Sequence, residues 1–172
     1  LYVGACIVMM DCFDPGETLG MIEKERITVL GQVPPMYLLE IGHPRFKDTN
    51  WDSVKTFAWG GSTAPRDMLE ALDAIQKRTG ARLVTGYGAT ELGGFITATC
   101  PDDSIEQLGR HAGVPYANCE VRIVDAGHVP LPVGTIGEIA VRGPVLMKGY
   151  LNSPAQTSEV LDEEGWYYTS DL

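Results

Sequence analysis

A hydroxyl and a carboxylate, those of Thr90 and Glu91, directly follow the segment 86–89, which reads Gly-Tyr-Gly-Ala. Glycines let a backbone approach a ligand closely, and the ring of Tyr87 is wide enough to stack on a base. A hydroxyl can hydrogen-bond a phosphate oxygen, whereas a carboxylate beside phosphates needs a hard cation such as Mg2+ to bridge the two. The segment therefore predicts base, phosphate and metal contacts in chain order.

The same segment also fits a purely structural interpretation. Gly-Tyr-Gly can form an ordinary turn from a strand into a helix, with Thr90 or Glu91 capping that helix. Taken alone, the segment leaves both interpretations open, so the decision depends on motifs elsewhere in the chain.

Three further motifs lie along the chain. They read Gly-Gly-Ser-Thr-Ala-Pro at 60–65, Gly-Glu-Ile-Ala-Val-Arg-Gly at 137–143 followed by Met147, Gly149 and Tyr150, and Trp-Tyr-Tyr-Thr-Ser-Asp-Leu at 166–172. With the first segment, they resemble in order and spacing the motifs GGAP, YGxTE, GELxVRGxxVMxGY and GWxxTGDL of the adenylate-forming superfamily. The resemblance is to the acyl-CoA ligase branch and covers essentially the whole chain.

The resemblance implies a nucleotide site. Adenine would be enclosed by Tyr87 and by Gly61, Ser62, Thr63, Ala64 and Pro65, with the backbone of Gly86, Gly88 and Ala89 beside the nucleotide. Thr90 and Glu91 would be the catalytic pair, Thr90 at the α-phosphate and Glu91 as the ligand of Mg2+. Asp171 would accept hydrogen bonds from both ribose hydroxyls, although an Asp after Thr and Ser is more often a turn former.

The acid substrate is implied to react beside Gly88. Tyr37, Trp59 and Gly60 are candidates for lining its pocket, although aromatic residues at such places more often pack in a core. The motif around Gly137, Glu138, Arg142, Gly143 and Tyr150 is interpreted as mainly architectural, supporting the second lobe of the chain.

The reaction implied by the resemblance uses ATP, Mg2+ and CoA. A carboxylic acid, expected to be a fatty acid, would become acyl-AMP with release of pyrophosphate, and the acyl group would then pass to CoA. Two other possibilities stay open: an acyl-AMP ligase or adenylation domain that loads a carrier protein, and a non-catalytic nucleotide-binding module. A plain structural domain with chance motifs is disfavoured by the fixed order of four motifs.

Two features depart from the family pattern. Ser170 stands where the family usually has Gly, which costs freedom if that turn needs a positive φ angle. The phosphate loop ending in Lys and the C-terminal lid with its catalytic Lys are not found in these residues, and the chain opens without Met. We therefore expect an internal piece of a longer enzyme, inactive alone, whose partners include those remaining parts.

Composition narrows the class of protein further. The 172 residues carry a formal net charge of -10, which argues against a surface that binds nucleic acid. The four cysteines lack CxxC spacing and no run of 18 apolar residues occurs, so free thiols, no membrane-spanning segment and a cytoplasmic location are expected.

These candidate residues must be positioned by a parallel β-α-β layer followed by a smaller, mostly-β, barrel-like lobe. The boundary is expected between domains 1–104 and 105–172, with a hinge at 101–109 and no helix after it. The predicted strands are 5–10, 27–33, 54–59, 82–85, 120–124, 137–142 and 166–169, and the predicted helices are 15–25, 34–41 and 65–78. Because ligands bind at the carboxyl edge of parallel strands, the glycines at 60–61 and 86–88 are expected at that edge.

Overall fold

Three short parallel strands form the first sheet of the computed structural model, which describes residues 3–172. The strands are β1 (Val29–Gln32), β2 (Thr56–Trp59) and β3 (Arg82–Thr85), in that spatial order. Gln32 is paired with Trp59, and Trp59 with Thr85, so the three carboxyl ends lie at one level. The sheet belongs to a unit that comprises the chain up to Thr85 and Thr99–Ala112, here called the α/β unit.

Helices accompany these strands because capping residues and apolar spacing favour them. They are α1 (Pro15–Lys24), α2 (Pro34–Ile41), α3 (Arg66–Thr79) and α4 (Ile105–Leu108), with a 3-10 turn at Pro44–Lys47. Asp14 accepts a hydrogen bond from the Glu17 N–H at the start of α1, and α3 ends at Gly80 with a φ of 73°, as expected for a left-handed cap. The core between helices and sheet includes Leu19, Ile22, Phe57, Met68, Leu72 and Leu83.

A second unit, here called the β-rich unit, comprises Gly86–Ala98 and Gly113–Leu172. Its strands are β4 (Gly88–Ala89), β5 (Gly94–Phe95), β6 (Thr97–Ala98), β7 (Val114–Pro115), β8 (Glu120–Val124), β9 (Glu138–Arg142) and β10 (Tyr167–Tyr168), and its helix is α5 (Pro154–Val160). All pairs are antiparallel: β4 with β5, β6 with β7, and β8–β9–β10 as one sheet. The predicted fold class is confirmed, and among residues 3–172 these sheets do not close into a barrel.

Two predictions about individual elements are wrong. Residues 5–10 pair with no strand within residues 3–172, and Ile7 and Met9 are 61% and 80% exposed. An apolar run records a tendency to be buried, but a strand also needs a neighbour for its backbone hydrogen bonds. Helices do occur after residue 101, namely α4, which begins with a Ser104–Gln107 capping box inside the predicted hinge, and α5.

No helix within residues 3–172 has the length and apolar character needed to cross a membrane. The predicted boundary between residues 104 and 105, like the cytoplasmic location, stays a prediction.

Candidate functional site

The segment that follows β3 folds back on itself as a hairpin. Gly88 pairs with Phe95 and Ala89 with Gly94, and a single 3-10 turn, Thr90–Leu92, joins the two strands. Ala89 is the N-cap residue of that turn, and its side chain makes no capping hydrogen bond. The alternative in which Thr90 or Glu91 caps a following helix is therefore wrong, and both side chains are left for other contacts.

Gly86 and Gly88 are required by the chain's own backbone. A Cβ atom at Gly86 would lie 2.1 Å from the Thr97 carbonyl oxygen, and one at Gly88 would lie 2.1 Å from the Gly94 carbonyl oxygen. No real Cβ contact is that short, so each position excludes every side chain. The glycine pattern that suggested close approach of a ligand thus already has a cause in the hairpin's packing.

Tyr87 is held between these glycines. Its N–H donates to the Thr97 hydroxyl at 2.7 Å, and its carbonyl oxygen accepts from the N–H groups of Ile96 and Thr97 at 2.8 and 3.3 Å. Two residues facing one carbonyl produce a local bulge that fixes where the Tyr87 ring projects.

The Tyr87 ring reaches a residue 84 positions away. Its hydroxyl donates a hydrogen bond to Oδ2 of Asp171. Two causes raise the pKa of Tyr87 to about 12: burial, which is the larger, and this hydrogen bond to a carboxylate. The phenol therefore stays protonated at physiological pH. The residues predicted to contact adenine and ribose are thus brought into direct contact within the β-rich unit.

Asp171 is presented by a turn with unusual backbone geometry. Ser170, just before it, has a φ of 61°, the left-handed conformation that Gly adopts most easily. The Ser170 N–H donates to Oε1 of Glu138 at 2.7 Å, and the Asp171 carbonyl oxygen accepts from the Ile139 N–H at 2.9 Å. The turn does need a positive φ angle at the position where the family usually has Gly. The hydrogen bond from Ser170 to Glu138 offsets part of the cost of placing a serine there.

Replacement Ser170→Gly is expected to stabilise the chain by about 0.5 kcal/mol. A left-handed conformation costs a non-glycine residue about 1–2 kcal/mol, which glycine would relieve. Glycine also gives the unfolded chain more freedom, which offsets about 0.5–1 kcal/mol of this stabilisation. Urea unfolding measures the difference. The control Ser158→Gly, in the exposed part of α5, should destabilise instead. A loss of stability in both variants would contradict the strain assigned to Ser170.

Glu91 is contacted by the segment that follows the third motif. The Tyr150 hydroxyl donates to Oε1 of Glu91 at 3.1 Å, and the Met147 N–H donates to the Glu91 carbonyl oxygen at 2.7 Å. Burial is the main cause that raises the pKa of Tyr167 on β10, and the interaction with the Tyr150 side chain is the second. Sequence reasoning interpreted Tyr150 as architectural, because nothing in a motif 59 residues away shows that its hydroxyl reaches Glu91.

The donor set around Glu91 fits a magnesium ion only in company with phosphates. No cluster of three or more His, Cys, Asp or Glu side chains suited to a metal occurs in residues 3–172. Mg2+ at nucleotide sites is commonly held by one or two carboxylates together with phosphate oxygens and water. The partly exposed carboxylate of Glu91 matches that pattern, so it could hold a Mg2+ ion that arrives with a nucleotide.

The remaining predicted site residues belong to the α/β unit. Residues 61–65 form the loop from β2 to α3, in which Gly61 has a φ of 82° and only Ala64 is buried. Tyr37 and Trp59 are 1% and 2% exposed, and the Tyr37 hydroxyl donates to the carbonyl oxygens of Leu30 at 2.7 Å and Ala58 at 3.1 Å. Both aromatic residues pack in the core, and their place in an acyl pocket, with Gly60, stays a prediction.

A family model described as "AMP-binding enzyme" matches residues 1–151, so the chain belongs to the AMP-binding enzyme family. It is 36% identical over 173 residues to a feruloyl-CoA synthase from an Amycolatopsis species, covering 100% of this chain and 34% of that protein. It is 35% identical over 172 residues to the medium-chain fatty-acid–CoA ligase of Escherichia coli, covering 99% and 29%.

Among solved structures, the chain is similar to the amide bond synthetase McbA from Marinactinospora thermotolerans. The TM-score is 0.81 at 34% identity, with 94% of this chain and 32% of that chain covered. The chain thus spans about a third of the length of the relatives that it matches.

Proposed function

We propose that the full-length protein containing this chain is an ATP-dependent acyl-CoA synthetase. It activates a carboxylic acid as acyl-AMP, releases pyrophosphate and transfers the acyl group to CoA. The observation that carries the proposal is the meeting of Tyr87 with Asp171, two motif residues 84 positions apart, in the unit that also holds Glu91. A chance set of motifs has no reason to converge in this way.

Within this proposal, each residue of the β-rich unit has a distinct task. Tyr87 offers its ring face to adenine, while its hydroxyl bond orients the Asp171 carboxylate that accepts from the ribose. Thr90, exposed on the turn, donates to the α-phosphate, and Glu91 holds Mg2+, which neutralises phosphate charge when bound. The adenine contact of residues 61–65, which belong to the α/β unit, stays a prediction from the sequence.

The acid is proposed to be a fatty acid or an aryl-substituted acid. The relatives include a medium-chain fatty-acid–CoA ligase and a feruloyl-CoA synthase at nearly equal identity, so the two classes compete. A panel of fatty and aryl acids, assayed with the full-length protein by pyrophosphate release, separates them. CoA is proposed as acceptor; replacing it with a carrier protein in the same assay tests the alternative.

We further propose that the chain by itself does not catalyse the reaction. Its residues include no Ser/Thr/Gly-rich loop ending in Lys and no lid with a catalytic Lys, so the terminal phosphates of ATP lack their cationic partners. Titration of the chain with ATP and Mg2+ should give little heat. Tight binding would contradict this part of the proposal.

In the full-length protein, Glu91→Gln is expected to reduce ATP–pyrophosphate exchange by about a hundredfold. The amide keeps the size of the side chain but removes the charge that holds the cation, so folding should change little. The matched control is Glu159→Gln, an exposed carboxylate in the same unit. Normal exchange in the Glu91 variant would overturn the metal assignment, and so would an equal loss in both variants.

A further inference from the structure

Glu91 accepts two hydrogen bonds from one short segment, residues 147–150. The Met147 N–H donates to its backbone carbonyl oxygen at 2.7 Å, and the Tyr150 hydroxyl donates to its side-chain Oε1 at 3.1 Å. The backbone bond fixes where the residue sits, and the side-chain bond fixes how its carboxylate is turned. A carboxylate on a three-residue surface turn would otherwise sample several rotamers.

The segment that supplies these two donors is itself fixed. The Tyr150 N–H donates to the Thr157 hydroxyl at 2.9 Å, and that hydroxyl donates to the Ser153 carbonyl oxygen at 2.9 Å at the start of α5. Gly149 has a φ of 142°, and a Cβ there would lie 2.9 Å from the Thr157 methyl group. The backbone at Tyr150 is therefore fixed against the start of α5, which sets the direction of the Tyr150 side chain.

A second tyrosine supports the first. Tyr167 on β10 is 5% exposed and packs in the core of the β-rich unit, and its interaction with the Tyr150 side chain helps to raise the pKa of the Tyr167 phenol. The Tyr150 side chain thus interacts with a buried phenol as well as with the Glu91 carboxylate. A hydroxyl that donates to a carboxylate and has a packed, buried ring beside it has less freedom to turn away from that carboxylate.

The chemistry of the donor matters for a metal ligand. A phenol is neutral, so it orients the carboxylate without cancelling the charge that attracts a cation, whereas a Lys or Arg in its place would compete with that cation. Outer groups of this kind commonly change metal affinity by 10–100-fold when they are removed.

We propose that Tyr150 is a positioning residue for Glu91, which it holds in the orientation that receives nucleotide-bound Mg2+, and that Tyr167 fixes Tyr150 in turn. This inference rests on the metal role proposed for Glu91. It gives the end of the third motif a task in the reaction, beyond support of the β-rich unit.

The test uses the full-length protein with Tyr150→Phe, Tyr167→Phe, Glu91→Gln and the control Tyr116→Phe, which removes an exposed hydroxyl in the same unit. Binding of Mn2+ in the presence of ATP, followed by loss of the free-ion electron paramagnetic resonance signal, reports metal affinity without turnover. The Mg2+ concentration for half-maximal ATP–pyrophosphate exchange is the second readout, and circular dichroism checks folding.

Tyr150→Phe should weaken Mn2+ affinity about tenfold and raise the Mg2+ requirement by a similar factor, with kcat at saturating Mg2+ nearly retained. Tyr167→Phe should give a smaller shift in the same direction, and Tyr116→Phe none. If Glu91→Gln weakens binding and Tyr150→Phe does not, the positioning role is overturned while the proposed function stands. If Glu91→Gln itself changes neither readout, the metal role and this inference both fall.

If Tyr150→Phe does not fold, Tyr167→Phe is the deciding variant. It keeps the Tyr150–Glu91 hydrogen bond and removes only the Tyr167 hydroxyl that interacts with Tyr150. An unchanged Mn2+ affinity in a folded Tyr167 variant then counts against the proposal. A reduced affinity that is matched by Tyr116→Phe counts against it as well, since such a loss would reflect general destabilisation.

Discussion

Gly88→Ala is expected to destabilise the chain by about 3 kcal/mol or more, even without a nucleotide. The added methyl group would lie 2.1 Å from the Gly94 carbonyl oxygen and 2.7 Å from Cα of Phe95, both backbone atoms of the paired strand. Backbone atoms cannot move aside as a flexible side-chain end can, so the hairpin must open or shift. Urea unfolding of the chain without added ATP measures this loss.

Two glycines serve as matched controls for that substitution. Gly31, in β1, would place a Cβ in open space, and at Gly127 the nearest atom would be 3.4 Å away, an ordinary contact. Alanine at either position should change stability by less than about 1 kcal/mol. If Gly88→Ala were as mild as these controls, and lost only nucleotide binding, the glycine would be explained by its ligand and not by the hairpin.

Elements governed by local rules were predictable from the sequence. The strand Glu120–Val124 has the predicted bounds, and α2 and α3 match theirs to within a residue, because Pro at a helix start, Gly at its end and the apolar period are all local signals. The run at residues 5–10 carries an equally strong apolar pattern. It forms no strand among the described residues, since pairing depends on a partner that a local pattern cannot supply.

The candidate site was predictable as a set of residue types but not as a set of contacts. Motif order identified Tyr87, Glu91 and Asp171, yet the Tyr87–Asp171 and Tyr150–Glu91 bonds join residues 84 and 59 positions apart. Such bonds arise from how β4, β9 and β10 are placed, which no single motif encodes. The burial of Glu40 and its contact with Gln32 could not be predicted for the same reason, because the sequence around Glu40 is that of an ordinary helix.

Glu40 is a fully buried acid at the end of the first sheet. It lies on α2 with 0% of its surface exposed, and the side-chain N–H group of Gln32, at the carboxyl end of β1, donates to its two oxygens at 2.9 and 3.0 Å. The buried Oε1 of Gln32 has no hydrogen-bond partner among residues 3–172. A proton on Glu40 would supply a donor within the same pair, so the neutral acid suits this site better than the carboxylate does.

Burial raises the pKa of Glu40 from its ordinary value of 4.5 to about 7, against a smaller lowering by the Gln32 bond. Between these two values the folded chain keeps a proton that the unfolded chain releases. Stability is therefore highest below about pH 4.5 as far as this group is concerned, falls as the pH rises toward 7, and levels off above it. The difference across that window is on the order of 3 kcal/mol.

Glu40→Gln should abolish this slope and make the variant more stable than the parent chain at pH 8. A glutamine cannot ionise, and two facing amides can each donate to and accept from the other, which keeps the buried groups paired. Urea unfolding at several pH values from 5 to 8, followed by the fluorescence of the buried Trp51 and Trp59 in the same unit, measures the effect. The control Glu25→Gln, at an exposed position, should keep the parent slope. A parent chain whose stability does not fall over this range would show that Glu40 is ionised in the folded state, and that Gln32 alone suffices to hold its charge.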